Sequence, residues 1–458
     1  MKNFLVVIAL VLIVSLNIFA QGGSDAGLRR VTEQDAVSRD ANGKLQTLTA
    51  AEHLQRAESY SSNRLFPQAR EHWQKVFDNY PADTGIPKAL FGTARSFMWE
   101  RQYEKAVAWF DRLIKNYPQT TEGSEGLAFK GASLVRLGKN LEAVTAYEQY
   151  TVMFPDGKRI ESAHLNIIDA YREAGKYDEA NRWVDRTRNR FPAPSVGANA
   201  LQARLRMEIF RQNWGAAVAA ADELLASRTF AGSMTSADEA KYLKAFALQM
   251  SGKKAESRTI YASISDSVMS YYGGLATERL FGDPEFRRIA NVTPNYYTDY
   301  PVMYRTELLQ HAKKRKIDPR FLLAIMKQES SFKTKAKSPA GARGLLQLVY
   351  DAAIKYSKKA GYPNLKPDDL YNPATNIAIG SVYVAELKDE FGGLYEAIAA
   401  SYNGGEDNAA RWLNRSKPKE AGIFASEVGF AETKAYVFKV MTNYRIYREL
   451  YTEELQRK

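Results

Sequence analysis

The stretch YEKAVAWFDRLIKNYP at residues 103–118 contains the pattern that decides the fold of the N-terminal half. Its aromatic–proline ending returns every 37 residues, as Tyr80-Pro81, Tyr117-Pro118, Phe154-Pro155 and Phe191-Pro192. Small residues recur at the same period upstream of these pairs, namely Ala69, Ala106, Ala143, Ala180 and Ala217. A fixed period of this length is typical of helical repeat proteins.

Paired helices explain the repeat. A small alanine lets two helices approach closely, and an aromatic residue three positions earlier lies on the same helical face. Four such aromatics occur, at Phe66, Tyr103, Tyr177 and Trp214. The residue before a proline avoids the α region, so each aromatic–proline pair predicts a helix end. One helix pair cannot bury its apolar face alone, so neighbouring pairs are expected to stack into a solenoid.

The repeat resembles tetratricopeptide repeats, with a longer period. We therefore predict a tetratricopeptide-like helical superhelix over residues 48–280, with a weaker closing unit around Ala255. Such a solenoid offers a concave surface for a protein partner, although it can also serve as a spacer. Repeats by themselves are not specific to any function.

The composition limits the number of domains and the kinds of catalytic or metal site that the chain can contain. A chain of 458 residues is too long for one compact core, so two or more domains are expected. The net charge of +12 suits an anionic partner but does not choose among nucleic acid, a membrane surface and an acidic polymer. Cysteine is absent, which excludes disulfides, thiolate metal sites and cysteine nucleophiles. With four histidines and no HExxH motif, neither a metal site nor a cofactor is predicted.

The N-terminus has the layout of a secretory signal peptide. A basic start at Lys2 precedes an almost wholly apolar run, and the chain turns polar after Ala20. We predict a signal peptide over residues 1–20 and export to the periplasm, with a retained anchor as the alternative. The run is shorter than the roughly 20 residues of a typical membrane span. Because no cysteine follows it, a lipoprotein anchor is not expected.

Composition shifts mark the remaining boundaries. Residues 21–47 are predicted to be a flexible N-terminal segment. Residues 281–300 contain glycine, two prolines and asparagine, and they interrupt the repeat pattern as a linker. A separate C-terminal domain is predicted over residues 301–458.

The C-terminal domain contains the candidate chemistry. Asp318 followed by proline predicts a helix start, with the aspartate as N-cap. The helix leads to the sequence QESSF at residues 328–332. A loop of small residues, SPAGARGLLQL at residues 338–348, follows. Its two closely spaced glycines permit tight turns and a close approach of the backbone to a ligand.

These two stretches resemble the signature of the soluble lytic transglycosylase family. Three further stretches resemble later motifs of that family in the right order: YNPATNIAIGSVYVAEL at 371–387, ASYNGG at 400–405 and ETKAYV at 432–437. The resemblance implies a mainly α protein, with a tetratricopeptide-like solenoid followed by a lysozyme-like, mostly helical catalytic domain.

The resemblance also implies a reaction. The family cleaves the β-1,4 bond between N-acetylmuramic acid and N-acetylglucosamine in peptidoglycan without water, leaving a 1,6-anhydro ring. Glu329 matches its single acid and base, which must start protonated and therefore needs a raised pKa. Nearby apolar residues such as Met326 and Phe332 would supply that environment. The alternative is a solvated carboxylate at a helix end.

Six further residues match substrate-binding positions of the family. Ser338 and Gln347 are expected near the acid, with loop capping as their alternative. Tyr402 and Asn403 match a substrate-contacting pair, and the Tyr402 hydroxyl is expected to bond Glu329 or the substrate's acetamido group.

The other two matches lie in the ETKAYV stretch. Glu432 matches a carboxylate that meets the sugar or the peptide, with a helix N-terminal charge as its alternative. Tyr436 either lines the cleft or packs. Three departures from the family pattern occur: Val349-Tyr350 replace a usual Met-Pro, Gly404 begins a Gly-Gly-Glu in place of Ala-Gly-Pro, and the acidic residue at Glu427 is displaced by one position.

Two rival functions remain open. A lysozyme-type muramidase would hydrolyse the same bond and would need a second carboxylate, for which Asp351 is the candidate by position. A non-catalytic glycan-binding scaffold would make the solenoid the active part. In every case we expect peptidoglycan as the ligand, no nucleic acid, and no membrane span after removal of the signal peptide.

Overall fold

The computed structural model of the protein describes residues 26–227, 229–265, 267, 269–281 and 296–458. The predicted signal peptide and most of the predicted linker, 281–300, lie outside the described residues. No helix in the described ranges is both long and apolar enough to cross a membrane. The described parts are helical and contain no β-strand. The predicted mainly α fold is thus confirmed.

Fourteen helices in the described part of the N-terminal region form the solenoid and its two ends. They are α1 Ala26–Val37, α2 Ala50–Ser62, α3 Phe66–Asn79, α4 Ile86–Trp99, α5 Tyr103–Asn116, α6 Thr121–Arg136, α7 Asn140–Met153, α8 Ile160–Glu173, α9 Tyr177–Arg190, α10 Pro194–Phe210, α11 Trp214–Leu225, α12 Ala237–Met250, α13 Lys254–Ala262 and α14 Tyr271–Phe281. From α2 to α13, consecutive helices pack side by side.

The repeat residues occupy equivalent places in these helices. The five periodic alanines from Ala69 to Ala217 are fully buried, which fits their predicted role at close helix contacts. The aromatics Phe66, Tyr103, Tyr177 and Trp214 each begin a helix. Each aromatic before a proline follows directly on the last residue of a helix, as at Tyr80 and Tyr117. The period therefore predicted both the contacts and the ends of these helices.

The segment before the solenoid differs from its prediction. Residues 21–47 were expected to be flexible, but the described residues 26–47 form α1 and a turn. The carboxylate of Asp35 is buried and accepts hydrogen bonds from Arg56 and Tyr60, and it also pairs with His72 at 2.9 Å. A buried carboxylate with several partners holds α1 against the first helix pair, which composition alone does not reveal.

The C-terminal domain contains nine described α-helices and one 3-10 helix. They are α15 Tyr296–Asp299, α16 Arg305–Arg315, α17 Pro319–Ser330, α18 Tyr350–Ala360, the 3-10 helix Pro367–Tyr371, α19 Pro373–Glu390, α20 Tyr395–Gly404, α21 Glu406–Arg415, α22 Ala421–Glu427 and α23 Ala431–Leu450. The apolar core of this domain surrounds α17, whose residues from Phe321 to Met326 are all fully buried.

The solenoid contacts the C-terminal domain along most of its length. Near its first turn, Asn63 accepts hydrogen bonds from Lys337 at 3.0 Å and Arg343 at 2.9 Å. Near its end, Lys434 donates to Glu239 at 2.7 Å. The surface that we expected to hold a protein partner is therefore partly covered by the chain's own C-terminal domain, and a separate partner stays a prediction.

A buried ion cluster forms the centre of this contact. The carboxylate of Glu427 is 1% exposed and accepts hydrogen bonds from Arg172 at 2.6 and 2.8 Å and from Arg206 at 3.1 Å. Arg415 lies 3.3 Å from the same carboxylate. Burial raises the pKa of Glu427, but the three guanidinium groups outweigh it and hold the pKa below its usual range. Glu427, the acidic residue that is displaced by one position from the family pattern, thus joins the two domains.

Replacing Glu427 should destabilise the contact between the domains. In Glu427→Gln the guanidinium groups of Arg172 and Arg206 lose their buried counter-charge, which typically costs about 3–5 kcal/mol. Urea denaturation should show this loss. The matched control is Glu58→Gln, because Glu58 forms an exposed pair with Lys88, a type worth about 0–1 kcal/mol. Equal midpoints for the two variants would contradict a supporting role for Glu427.

Candidate active site

Glu329 lies in the last turn of α17, and both ends of that helix are fixed. At the start, the Asp318 carboxylate accepts the backbone N–H of Arg320 at 2.9 Å, as the N-cap prediction requires. At the end, Ser331 takes a left-handed conformation with φ of 47°. The hydroxyl of Ser330 donates to the carbonyl of Leu345 at 2.8 Å and joins the helix end to the loop at residues 338–348.

Tyr436 is the direct partner of the candidate acid. Its hydroxyl donates to Oε1 of Glu329 at 2.7 Å. The tyrosine is 6% exposed and lies on α23, which packs across α17. Of the two alternatives for this residue, lining the cleft or packing, neither included a bond to the acid. The packing of two helices that are distant in sequence creates this contact.

The surroundings of Glu329 favour its neutral form. Burial raises the pKa of Glu329 to about 7, and the hydrogen bond from Tyr436 opposes that rise. The negative charge of Glu432, one turn before Tyr436 on α23, adds to it. The side chain still retains some exposure to solvent. A carboxyl group with these properties can donate a proton near neutral pH and accept it again.

The glycine-containing loop beside Glu329 has a conformation that its sequence requires. Gly344 has φ of +75°, and an added Cβ would lie 2.2 Å from the carbonyl oxygen of Leu370. The buried side chain of Asn376 accepts the backbone N–H of Leu346 at 2.8 Å and donates to the carbonyl of Arg343 at 2.9 Å. Asn376 was not among the predicted site residues, although it stands in the YNPATN stretch that signalled the domain.

Tyr402 does not bond Glu329, which was one of its two expected partners. Its hydroxyl donates to the carbonyl of Leu346 at 2.6 Å, so the bond to Glu329 is made by Tyr436 and not by Tyr402. The alternative contact of Tyr402 with the substrate's acetamido group stays a prediction. Tyr402 nevertheless lies close to the acid. Burial, followed by the charge of Glu329, raises the pKa of Tyr402 well above its usual range. The ring of Tyr402 packs at 5.2 Å from that of Tyr383, which in turn stacks at 5.0 Å on Tyr356.

Two of the other predicted residues are exposed, one near the end of α20 and one in the first turn of α23. Asn403 is exposed, and its side-chain oxygen accepts a hydrogen bond from the hydroxyl of Thr433 at 2.6 Å. Glu432 is also exposed, and partial burial raises its pKa. It stands in the first turn of α23, so the alternative of a helix N-terminal charge applies as well.

Ser338 and Gln347 make contacts within the loop. The Ser338 hydroxyl accepts the backbone N–H of Ala342 at 3.1 Å. The Gln347 amide donates to the carbonyls of Ala336 at 3.0 Å and Gly344 at 2.8 Å. Among the described residues, neither side chain forms a hydrogen bond to Glu329. The loop-capping alternative therefore accounts for the contacts of both.

The candidate for a second catalytic carboxylate is engaged elsewhere. Asp351 accepts two hydrogen bonds from Arg64 of the solenoid, at 2.7 and 3.0 Å. This ion pair joins the start of the solenoid to α18. Within the part of the chain that the structure describes, no group of three or more acidic or histidine side chains could hold a metal ion.

Comparison with known protein families matches both parts of the chain. Residues 308–424 match the transglycosylase SLT domain. Residues 54–120 and 130–193 match tetratricopeptide repeats. The first match contains Glu329, Tyr402 and the loop at residues 338–348, and it ends before α23.

Similar curated proteins align over the C-terminal part. The soluble lytic murein transglycosylase of Escherichia coli K12 is 32% identical over 151 residues, which cover 32% of this chain and 23% of that protein. The membrane-bound lytic murein transglycosylase C of Salmonella arizonae is 31% identical over 181 residues, covering 34% of this chain and 50% of that protein. The chain thus spans about a quarter to a half of the length of these relatives.

A solved structure supports the fold of the whole chain. The complex of the 70-kDa soluble lytic transglycosylase with bulgecin A aligns with 95% of this chain and 82% of that one, at 18% identity and a TM-score of 0.51. This likeness concerns the fold. Together with the family matches, it shows that the chain carries tetratricopeptide repeats followed by a transglycosylase SLT domain.

Proposed function

We propose that the protein is a peptidoglycan lytic transglycosylase that cleaves the bond between N-acetylmuramic acid and N-acetylglucosamine without water. The proposal rests on the raised pKa and the hydrogen bonding of Glu329. Burial raises its pKa to about 7, the hydroxyl of Tyr436 donates a hydrogen bond to it, and the adjacent Ser330 is bonded to the glycine-containing loop. The sequence similarity of this domain to lytic murein transglycosylases supports the same reaction.

In the first step Glu329 acts as an acid. It donates its proton to the glycosidic oxygen, the bond from that oxygen to C1 of the muramic residue breaks, and the N-acetylglucosamine leaves with a free hydroxyl group. Positive charge develops at C1. The 2-acetamido group of the substrate is suited to stabilise it, so no second protein carboxylate is required.

In the second step Glu329 acts as a base. Its carboxylate takes the proton from the muramic 6-hydroxyl, and that oxygen forms a new bond to C1. The product has a 1,6-anhydro ring, and the proton is back on Glu329. Atoms balance without a water molecule. A pKa near the working pH lets one group perform both transfers.

The partners of Glu329 have separate tasks in this scheme. Tyr436 holds Oε1, so that Oε2 serves as the oxygen that exchanges the proton. Tyr402 supports the backbone of Leu346 and forms part of the cleft wall. We assign sugar or peptide contacts to Asn403 and Glu432, because both side chains are exposed. We assign a supporting role in substrate binding to Ser338 and Gln347 through the loop that they stabilise.

Hydrolysis by a lysozyme-type mechanism is the second candidate. It requires a carboxylate beside C1, and the residue expected for that task, Asp351, is held by Arg64. Glu432 is the carboxylate whose charge acts on Glu329, and its exposure suits substrate contact. Because Asp351 is held by Arg64 and Glu432 is assigned to substrate contact, we favour the non-hydrolytic reaction. The two reactions give products that differ in mass by one water.

We infer that this reaction takes place outside the cytoplasm. The predicted signal peptide at residues 1–20 supports export to the periplasm, where peptidoglycan lies. The solenoid would then serve as the frame of the catalytic domain, with its uncovered surface left for a protein partner or for the polymer.

Glu329→Gln should stop turnover of purified peptidoglycan while leaving the fold intact. Without a titrating group, proton donation to the leaving oxygen is lost, and a loss of about 10²–10⁴-fold or more is expected. The release of soluble fragments from sacculi measures it. Glu396→Gln is the matched control: burial also raises the pKa of Glu396 to about 7, but its carboxylate accepts a hydrogen bond from Tyr271 outside the cleft. Equal activity of the two variants would refute the assignment.

Two variants should shift the pH dependence in opposite directions. Tyr436→Phe removes a hydrogen bond that lowers the pKa of Glu329, and Glu432→Gln removes a charge that raises it. The initial acid must be protonated, so the wild-type kcat/KM should fall above a pH of about 7. That limb should move to higher pH in Tyr436→Phe and to lower pH in Glu432→Gln. Shifts of the same sign would contradict the proposed role of Glu329.

A further inference from the structure

The turn between the two helices of each repeat contains one residue in the left-handed conformation. The 37-residue period places Arg64, Arg101, Gly138, Gly175 and Gln212 at this equivalent position. Their φ angles lie between 61° and 73°. Glycine adopts such angles without steric cost, whereas residues with a Cβ rarely do. The conformation of the turn therefore does not explain why the first two repeats have arginine where the next two have glycine.

Both arginines reach a carboxylate of the C-terminal domain. Arg64 donates two hydrogen bonds to Asp351, at 2.7 and 3.0 Å. Arg101 donates a hydrogen bond to Asp407 and lies 3.9 Å from the carboxylate of Glu406. Asp351 belongs to the first turn of α18, and the other two acidic residues belong to the first turn of α21. Each of the first two solenoid turns is thus attached to the start of a helix in the C-terminal domain.

The first of these turns holds the glycine-containing loop. Because α18 follows the loop directly, the ion pair of Arg64 fixes the end of the loop. The side-chain oxygen of Asn63 accepts a hydrogen bond from Arg343, within the loop, at 2.9 Å. Gly341 lies against the same turn, since an added Cβ would stand 2.8 Å from the carbonyl oxygen of Ser62. The turn therefore contacts the loop both in its middle and at its end.

The second turn holds the end of α20, which contains Tyr402. One residue separates α20 from α21, where Glu406 and Asp407 stand. Besides its bond from the arginine, Asp407 accepts a hydrogen bond from the hydroxyl of Tyr103 in the same repeat. The hydroxyl of Tyr383 lies 3.4 Å from the carboxylate of Glu406, and its ring packs at 5.2 Å from the ring of Tyr402. The second attachment thus reaches Tyr402 through one intervening side chain.

The two attached parts meet beside the candidate acid. The hydroxyl of Tyr402 donates to the carbonyl of Leu346 in the loop at 2.6 Å. The carbonyl of the adjacent Leu345 accepts the hydroxyl of Ser330, the residue after Glu329. The charge of Glu329 also acts on Tyr402. A shift of either part would therefore change the surroundings of the acid.

The packing of the repeats fixes the spacing between the two arginines. Helices α2 to α5 pack side by side in order. The ring of Phe66 stacks on that of Trp99 at 5.4 Å. The guanidinium group of Arg64 lies over both rings, at 5.2 and 5.5 Å from their centres, where cation–π attraction holds it. Trp99 ends α4, two positions before Arg101. One attachment is thus packed against the element that carries the other.

We propose that Arg64 and Arg101 are positioning residues of the active site. They hold the glycine-containing loop and the end of α20 at one separation, which the spacing of the first two repeats sets. The inference rests on the proposed function, because these two parts act on the reaction through the substrate that Glu329 would cleave. It also gives a task to the Gly-Gly-Glu sequence at 404–406, where the family pattern has Ala-Gly-Pro, since Glu406 provides a charge opposite Arg101.

Substitution by glycine separates positioning from folding. In Arg64→Gly and Arg101→Gly the turn receives a residue suited to its left-handed conformation, and a partly exposed ion pair contributes little to stability. The midpoint of urea denaturation should therefore stay close to that of the wild type. On soluble glycan strands kcat should fall about tenfold or more in each variant, because small displacements of positioned groups are costly in rate. KM should change much less, because the rest of the strand still binds.

Gln212→Gly is the matched control. Gln212 occupies the same turn position with φ of 61°, its side chain is exposed, and no side-chain hydrogen bond includes it among the described residues. This variant makes the same change to the backbone and should retain the wild-type kcat. Arg64→Lys should restore part of the kcat that Arg64→Gly loses, because lysine keeps the charge opposite Asp351 but not the two parallel hydrogen bonds.

Amide hydrogen exchange tests the inference without turnover. Arg64→Gly should speed exchange in the glycine-containing loop, and Arg101→Gly should speed exchange in residues 402–409, with the rest of the protein unchanged. If kcat of both variants equals that of Gln212→Gly, or if exchange in these segments is unchanged, the positioning role is wrong. A fall in kcat that only matches a loss of folded protein would also overturn it. A wild type that forms no anhydro products would instead refute the proposed function, and the exchange pattern would then decide the role of the arginines.

Discussion

The packing of α23 across α17 is the contact on which the account of this molecule depends. It places a tyrosine at each end of the helix that carries the candidate acid. Tyr436 donates to Glu329, and Tyr444 donates to the N-cap carboxylate of Asp318 at 2.9 Å. The acid is therefore fixed in position and, because the same packing removes it from water, fixed in its protonation behaviour. A loosely held carboxylate at a helix end would have neither property.

The same helix joins the candidate active site to the solenoid. Lys434 on α23 donates to the buried carboxylate of Glu239, and Phe430 at its start faces a cavity between the domains. Glu427, just before α23, is enclosed by arginines of both domains. Buried ion pairs are weak evidence for stability, but they are costly to break singly, which suits a contact that must keep one geometry. In this molecule the solenoid is part of the structure that positions the active site.

Local patterns predicted the local features. The repeat predicted the contacts and the ends of the solenoid helices. Asp318 and Pro319 predicted the start of α17, and the motif around Glu329 predicted the C-terminal domain. Contacts between distant residues could not be obtained in that way. The bond from Tyr436 to Glu329 spans more than a hundred positions, and the pair of Arg64 with Asp351 spans 287. The expected bond from Tyr402 to Glu329 was wrong for the same reason, since two tyrosines lie near one carboxyl group and only the packing decides which of them bonds it.

The central claim is that a lone carboxyl group cleaves the glycan strand without water. The most direct measurement is digestion of purified sacculi in ¹⁸O-labelled water, followed by mass analysis of the new muramic ends. The account predicts 1,6-anhydro ends, lighter by one water than reducing ends and free of the label. Reducing ends that carry one labelled oxygen would show that water is the nucleophile and would contradict it.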